Sequence, residues 1–136
     1  MFTKNAKVEM LKRVPLFSDC SRRELNEVAM IADEIYFPAG TALMKEGDAG
    51  KELVVVVDGT VEISRRGKRV PPKGDTSFFG EASLLTGTPR NATVTTTSPV
   101  RALVITARSF GRLLTDSPGI QRKILVSLAS RLPDAG

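Results

Sequence analysis

The segment FFGEASLLTGTPRNATV, residues 78–94, contains one acid and one base whose spacing indicates ligand chemistry. Glu81 opens a short helix-forming run, and Arg90 follows a turn and leads into a strand-like run. A helix N-terminus offers unpaired N–H groups that attract anions. An arginine can make a bidentate, charge-assisted pair with a phosphate, whereas an ionised glutamate accepts hydrogen bonds from hydroxyl groups. These three features together suit a ribose phosphate.

A second interpretation of the same residues needs no ligand. Glu81 and Arg90 could form an internal ion pair that closes the loop between them, and their spacing alone leaves both interpretations open. Gly80 is compatible with a ligand, because a residue without a side chain lets a ligand approach the backbone closely.

The composition excludes several classes of enzyme. The 136 residues include no histidine, which is the usual general base near neutral pH and a common metal ligand. A Ser–His or Cys–His catalytic arrangement is therefore impossible, and a histidine-based metal site of the cupin type is excluded. The single cysteine, Cys20, rules out an intrachain disulfide and suggests a reducing compartment. We therefore expect neither an enzyme nor a metal site.

Charge and hydropathy bear on nucleic-acid binding, membrane insertion and cellular location. The net charge is +5, and basic residues cluster in the run SRRGKRV. Such a patch can bind nucleic acid, but at a hairpin tip its charges are normally solvated, so we expect no direct nucleic-acid binding. No apolar run approaches the ~20 residues of a membrane span, and the start has no long apolar signal region. We expect a cytoplasmic protein without a membrane span.

Helical signals flank a β-rich centre. Ser21 and Glu24 have capping-box spacing before an apolar helical face, within an expected helical region 1–32. Short strand-like runs separated by turn signals then predict a sandwich or barrel over about 33–106, with Asp58-Gly59 as the best hairpin signal. Helices are expected again over about 107–132, starting after Thr106 as N-cap. The last helix has an apolar stripe of Ile120, Ile124, Leu125, Leu128 and Leu132.

The segment 78–94 resembles the phosphate-binding cassette of the cyclic nucleotide-binding domain family. The shared pattern is Phe-Gly-Glu, a short helix with Leu-Leu, then Pro-Arg, a small residue, Ala and Val. VPLFSDCSRRELNEVA is similar to the family's N-terminal helices, and FPAGTALMKEGDAGKELVVVVDGTVEIS is similar to its first strands. The resemblance covers nearly the whole chain. It implies a single domain, 1–136, that is mainly β with flanking helices: a jelly-roll-like β-roll with N-terminal helices, a short cassette helix and C-terminal B and C helices.

The resemblance also implies a ligand, cyclic AMP or cyclic GMP, and a role for each site residue. Glu81 would accept the ribose 2′-hydroxyl, and Arg90 would pair with the exocyclic phosphate oxygens. Backbone groups of the short helix and of the residues after the arginine would complete the phosphate cradle, and two valines would be walls for the purine. These residues are Gly80, Ala82, Ser83, Asn91, Ala92, Val61 and Val70.

The sequence departs from the family pattern at three places. Thr76 and Ser77 intervene before the Phe-Phe-Gly-Glu, which indicates a reshaped loop. Asn91 is neither the Ser or Thr common in cyclic-GMP-preferring members nor the Ala of cyclic-AMP ones, so base preference stays open. Only PDAG follows the pair Arg131-Leu132, so the lid that caps the base is expected to be short or absent.

By resemblance, the expected function is regulatory. Nucleotide binding would move the C-terminal helices and act on an effector such as a kinase, channel, transferase or transcription factor. The alternative is a degenerate interaction module that no longer binds nucleotide. The intact Glu81 and Arg90 favour binding.

Overall fold

The computed structural model describes residues 2–70, 78–80, 84 and 89–130, apart from the side chain of Leu128. Helices α1 (Lys4–Leu11) and α2 (Arg22–Met30) precede the strands, with a 3-10 turn at Pro15–Phe17 between them. Helices α3 (Ala107–Asp116) and α4 (Pro118–Ser130) follow the strands. The strands are β1 (Asp33–Phe37), β2 (Ala42–Met44), β3 (Glu52–Asp58), β4 (Val61–Arg65), β5 (Lys68–Arg69), β6 (Phe78–Phe79), β7 (Thr93–Thr96) and β8 (Val100–Thr106).

The strands form two antiparallel four-stranded sheets, in the orders β1-β8-β3-β6 and β2-β7-β4-β5. The two central strands of the first sheet, β3 and β8, pair from Glu52↔Thr106 to Val56↔Ala102 before the register shifts. The expectation of a mainly β fold with flanking helices is confirmed. Strand β6 had no separate signal in the sequence, and it pairs Phe79 with Val54.

Strand β3 separates two hydrophobic clusters. Its successive side chains point to opposite faces of the sheet. Leu53 and Val55 belong to the main cluster, which includes buried residues of α1, α2, α3 and α4 together with Leu84. Val54 and Val56 belong to a second cluster, against which Val61 and Phe79 pack. The face of β3 that meets the helices is therefore distinct from the face that meets the β-roll interior.

The prediction of a hairpin at Asp58-Gly59 is wrong. The flanking strands β3 and β4 lie in different sheets, so this turn carries the chain from one sheet to the other. A Cβ on Gly59 would lie 2.5 Å from the Pro99 carbonyl oxygen, so the glycine serves a close approach between segments. The hairpin expected at SRRGKRV is confirmed, because β4 pairs with β5 through Arg65↔Lys68. Its turn residues Arg66 and Gly67 have φ of 55° and 77°, as a mirror-image hairpin turn requires.

The helix signals are mostly confirmed, with one correction. Both hydrogen bonds of the Ser21–Glu24 capping box are present, and Thr106 caps α3 by accepting from the Ser109 amide. In α4, Ile120 and Ile124 are buried as predicted, but Leu125 is 60% exposed. Leu125 lies about 100° around the helix from Ile124, so it leaves the buried line. Of the remaining stripe, the Leu128 side chain and Leu132 lie outside the described residues.

Candidate functional site

Arg90 is the most unusual polar residue of the site because it is 7% exposed. Its Nη2 donates to the Glu52 carbonyl oxygen at 2.7 Å. Its Nη1 is buried and finds no hydrogen-bond partner within the described part of the chain. Burial lowers the pKa of the guanidinium, while the nearby Glu52 charge raises it. Because arginine stays protonated in proteins, the site holds a positive charge, and its Nη1 has no acceptor among the described residues.

The backbone of Arg90 is held by the turn between β2 and β3. The Gly47 amide donates to the Arg90 carbonyl at 2.8 Å, and the Arg90 amide donates to the Asp48 carbonyl at 2.7 Å. One residue earlier, Pro89 forms an isolated antiparallel bridge with Ala49. The arginine therefore extends from a backbone that is held by this turn.

Gly80 lies directly against the Arg90 side chain. Its φ is +88°, a conformation that disfavours any residue with a Cβ. A Cβ at this position would also overlap Arg90 Nη1 and the Glu52 carbonyl oxygen. The Leu84 amide donates to the Gly80 carbonyl at 3.0 Å, which is the spacing of an α-helical bond. The structure thus brings Gly80 and Arg90 together, as the sequence predicted.

A cavity of about 230 Å³ lies beside Arg90, between β2 and the start of β3. Two basic residues, Lys45 and Lys51, and two acidic residues, Asp48 and Glu52, line it. Whole ligands of drug size occupy about 300–1,000 Å³. This space is therefore suited to a charged portion of a ligand rather than to a complete nucleotide.

The two residues after Arg90 differ in exposure. Asn91 is exposed and Ala92 is buried at 4%. The Asn91 carbonyl accepts a hydrogen bond of 2.9 Å from Arg65 Nε, and the Thr93 hydroxyl accepts one of 3.0 Å from the Glu46 amide. Contacts from two separate loops thus fix the chain where it enters β7.

The remaining predicted site residues are placed as follows. Val61 is half-buried and packs against the second cluster, which Phe79, the neighbour of Gly80, also contacts. Val70 is half-buried beyond β5, where its amide donates to the Ile63 carbonyl at 2.8 Å. Glu81, Ala82 and Ser83 lie outside the described residues. The choice between a hydroxyl-binding Glu81 and its ion pair with Arg90 therefore stays a prediction.

Sequence reasoning missed two contributors to the site. Glu52 holds Arg90 through its backbone carbonyl, and a backbone contact leaves no signal in residue identity. Arg65 was assigned to a solvated basic patch, yet it binds the Asn91 carbonyl. The sequence shows the hairpin signal around Arg66-Gly67, but it does not show which residue the flanking Arg65 contacts.

The sequence model for the cyclic nucleotide-binding domain matches residues 34–117, which include both sheets and the site. The chain belongs to this family. The match contains Gly80, Arg90, Asn91 and Ala92, so the resemblance seen in the cassette extends over the described β-roll.

Two curated relatives illustrate the range of proteins that contain this domain. The chain is 34% identical over 109 residues to the cAMP-dependent protein kinase regulatory subunit of Eremothecium gossypii, covering 78% of this chain and 23% of that protein. It is 28% identical over 129 residues to the CRP-like cAMP-activated global transcriptional regulator of Mycobacterium tuberculosis H37Rv, covering 91% of this chain and 58% of the regulator. The chain therefore spans less than two thirds of either relative.

Solved structures confirm the β-roll architecture. The N-terminal domain of a transcriptional regulator from Streptomyces coelicolor A3(2) superposes with a TM-score of 0.81 at 29% identity, over 90% of this chain and 91% of that one. The Catabolite Activator Protein of Thermus thermophilus superposes with a TM-score of 0.68 at 24% identity, over 86% and 57% of the two chains. This second likeness supports the fold alone. Among the described residues, no helix has the length and apolarity needed to span a membrane.

Proposed function

We propose that residues 1–136 act as one regulatory domain that binds a cyclic nucleotide monophosphate, with the phosphate on Arg90. The observation that carries this proposal is the buried guanidinium whose Nη1 has no partner in the described chain. A buried charge without full hydrogen bonding is costly. A phosphate oxygen would supply the missing acceptor and the compensating charge together.

Gly80 supports the same assignment from the opposite side. Its lack of a side chain leaves room for the Arg90 guanidinium, and the Leu84–Gly80 hydrogen bond starts a helical turn beside it. We propose that Glu81 accepts the ribose 2′-hydroxyl and that the backbone of Gly80, Ala82, Ser83, Asn91 and Ala92 surrounds the phosphate. Val61 and Val70 would contact the purine.

Cyclic AMP is the first ligand to test and cyclic GMP the second. The kinase regulatory subunit and the CRP-like regulator carry cAMP in their names, which supports this order. The alternative is a module that has lost nucleotide binding. The Arg90 Nη1, which has no acceptor among residues 2–70, 78–80, 84 and 89–130, favours the binding domain over that alternative.

The proposed role is regulatory rather than catalytic, and the effector lies in the same or another chain. Similar proteins include a kinase regulatory subunit, a transcriptional regulator and the cyclic nucleotide-gated potassium channel RHE_CH03180 of Rhizobium etli. Burial raises the pKa of the Cys20 thiol to about 11, so this thiol is not a nucleophile near neutral pH. We also propose a cytoplasmic location.

Binding would reach the C-terminal helices through Leu84. This residue is 5% exposed and belongs to the same cluster as Phe110 of α3 and Ile124 of α4. Interiors are close-packed, so a shift of the turn at Gly80 requires these helices to repack. The expected coupling is about 1–3 kcal/mol.

Isothermal titration of the full chain with cyclic AMP, cyclic GMP and 5′-AMP tests the proposal. We expect the cyclic nucleotides to bind and 5′-AMP to bind much more weakly. In a thermal shift assay, a ligand at 100 times its Kd should stabilise the domain by about 2.7 kcal/mol. Absence of binding by both cyclic nucleotides would favour the degenerate module.

A further inference from the structure

We propose that Arg65, at the end of β4, is a positioning residue for the phosphate site: it orients the Ala92 amide toward the ligand. This inference rests on the proposed function. It concerns a residue that the sequence placed in a solvated patch and that lies outside the cassette.

The contact that carries the proposal joins two distant parts of the chain. Arg65 Nε donates to the Asn91 carbonyl oxygen at 2.9 Å. Strand β4 pairs with β7 up to Ser64↔Thr93. Arg65 therefore follows the last residue of β4 that pairs with β7, beside the point where the cassette enters β7.

Because the peptide group is planar, a contact that holds the Asn91 carbonyl also sets the direction of the Ala92 amide. A carbonyl and the next residue's amide belong to one rigid trans unit and point in opposite directions. The Gly47 amide holds the Arg90 carbonyl and so fixes the Asn91 amide. Arg65 holds the Asn91 carbonyl and so fixes the Ala92 amide. Both amides are donors of the proposed phosphate cradle.

Arg65 extends from a well-anchored hairpin. Glu46 Oε1 accepts from the Arg66 amide at 2.9 Å, and the Glu46 amide donates to the Thr93 hydroxyl at 3.0 Å. Glu46 thus joins the hairpin tip, the turn after β2 and the start of β7. These hydrogen bonds from backbone amides to side-chain oxygens hold the hairpin, and with it Arg65, beside the start of β7.

The same hairpin supplies a matched control. Arg69 has the same charge, but its Nε pairs with Glu62 at 3.1 Å, and its side chain is 75% exposed. Loss of Arg69 therefore removes an equal charge without releasing the Asn91 carbonyl. Comparing the two arginines separates positioning from general attraction of an anion.

The experiment is titration of the full chain with the cyclic nucleotide that binds the wild type better, using Arg65→Met, Arg65→Lys and Arg69→Met. We expect Arg65→Met to bind about tenfold more weakly and Arg69→Met to stay within about twofold. Arg65→Lys keeps the charge but lacks the Nε donor, so it should also bind less tightly than wild type. Because positioning is not a screened charge effect, the ratio between Arg65→Met and wild type should persist at high salt.

A second readout reports the Ala92 amide directly. In ¹H–¹⁵N spectra of the wild type, nucleotide saturation should displace the Ala92 amide resonance strongly. In Arg65→Met this displacement should shrink, while Arg69→Met keeps it and all variants keep the wild-type Tm within a few degrees.

The outcomes separate this inference from the proposed function. Wild-type binding with an unchanged Kd in both Arg65 variants overturns the role of Arg65 alone. Equal weakening by Arg65→Met and Arg69→Met, with normal Arg65→Lys, shows a charge effect and also overturns it. If the wild type binds neither cyclic AMP nor cyclic GMP, the proposed function falls and takes this inference with it.

Discussion

Arg90 in the cassette and Lys123 in α4 are both basic residues, but their surroundings shift their pKa values in opposite directions. Arg90 is buried, burial lowers its pKa, and Nη1 has no partner in the described chain. Lys123 is half-exposed and its Nζ lies 2.5 Å from Glu24 Oε1, so that hydrogen bond raises its pKa. The first side chain is the one that we propose binds an external anion, whereas the second already has its counter-charge.

The region around Lys123 is a structural connection between the C-terminal helix and the N-terminal helices. Glu24 Oε1 accepts from both Lys123 and the Ser21 amide, so one carboxylate completes a capping box and an ion pair. The Ser127 hydroxyl donates to the Pro15 carbonyl at 2.8 Å. Within the described residues, the burial of Arg90 without an acceptor for Nη1 thus distinguishes the candidate site from this structural ion pair.

Arg90→Ala should give the largest effect on binding. Removing one partner of a buried charge pair costs about 3–5 kcal/mol, which corresponds to two to four decades in Kd. The domain should stay folded, because the variant also removes the buried Arg90 guanidinium, whose Nη1 has no acceptor in the described part of the chain. Titration calorimetry gives the Kd and thermal denaturation gives the Tm, with Lys123→Met as the control that leaves Kd unchanged. Binding within threefold of wild type would remove Arg90 from the site.

Gly80→Ala should lower the free energy of unfolding more than the same substitution at Gly40. At Gly80 the added Cβ meets Arg90 Nη1 and a backbone carbonyl, whereas at Gly40, with φ of +83°, nothing lies within 4 Å. Gly40→Ala should therefore cost only the conformational penalty of about 1–2 kcal/mol, and Gly80→Ala more than this. Urea denaturation measures both, and only Gly80→Ala should also weaken nucleotide binding. Equal losses of stability in the two variants would show that the space beside Arg90 is not restricted.

Leu84 should transmit binding from the cassette to the helices. In the wild type we expect nucleotide to change amide hydrogen exchange across residues 107–130, since Leu84 packs in the same cluster as Ile120 and Ile124. Leu84→Ala should cost about 2–5 kcal/mol of stability and reduce this remote change. Leu125→Ala, at a residue 60% exposed on α4, is the matched control and should leave the remote change intact. Unchanged exchange in the wild type, with new protection only near residues 89–92, would mean that the helices do not respond.

Lys123→Met should give the smallest effect, and only on the acid side. Hydrogen bonds from Lys123 and the Ser21 backbone hold the pKa of Glu24 below its ordinary value. A lowered folded-state pKa contributes stability that is complete above the unfolded pKa and is lost as pH falls through the folded pKa. Denaturation from neutral pH into the range below about pH 4.5 should therefore show a shallower loss for Lys123→Met than for wild type. A change of the same size in Lys68→Met would assign the effect to net charge instead.

The local features were readable from the sequence because local interactions create them. The capping box depends on Ser21 and Glu24 three residues apart, and both its hydrogen bonds form. The strand-like runs became strands because their β-branched residues fill a pleated, half-buried surface. The cassette motif predicted Gly80 and Arg90 as residues of one site, and the structure brings the two together.

Features that depend on a distant partner could not be read in this way. Asp58-Gly59 has an excellent hairpin signal, but Gly59 lies against Pro99 and the chain passes into the other sheet. Leu125 fits an apolar stripe, yet the surface that covers Ile124 does not extend to it. The orientation of Arg65 toward Asn91 depends on how β4 meets β7, which no neighbouring residue encodes.

The sequence by itself predicted which residues would carry the chemistry, namely Glu81, Arg90 and Gly80, in a chain without histidine. Only the tertiary structure decided that Arg90 is buried and that its Nη1 has no acceptor among the described residues, because burial depends on β3 and the turn after β2 packing around it. Charge is a property of a residue type, whereas the strength and availability of that charge depend on desolvation and on partners brought from elsewhere in the chain.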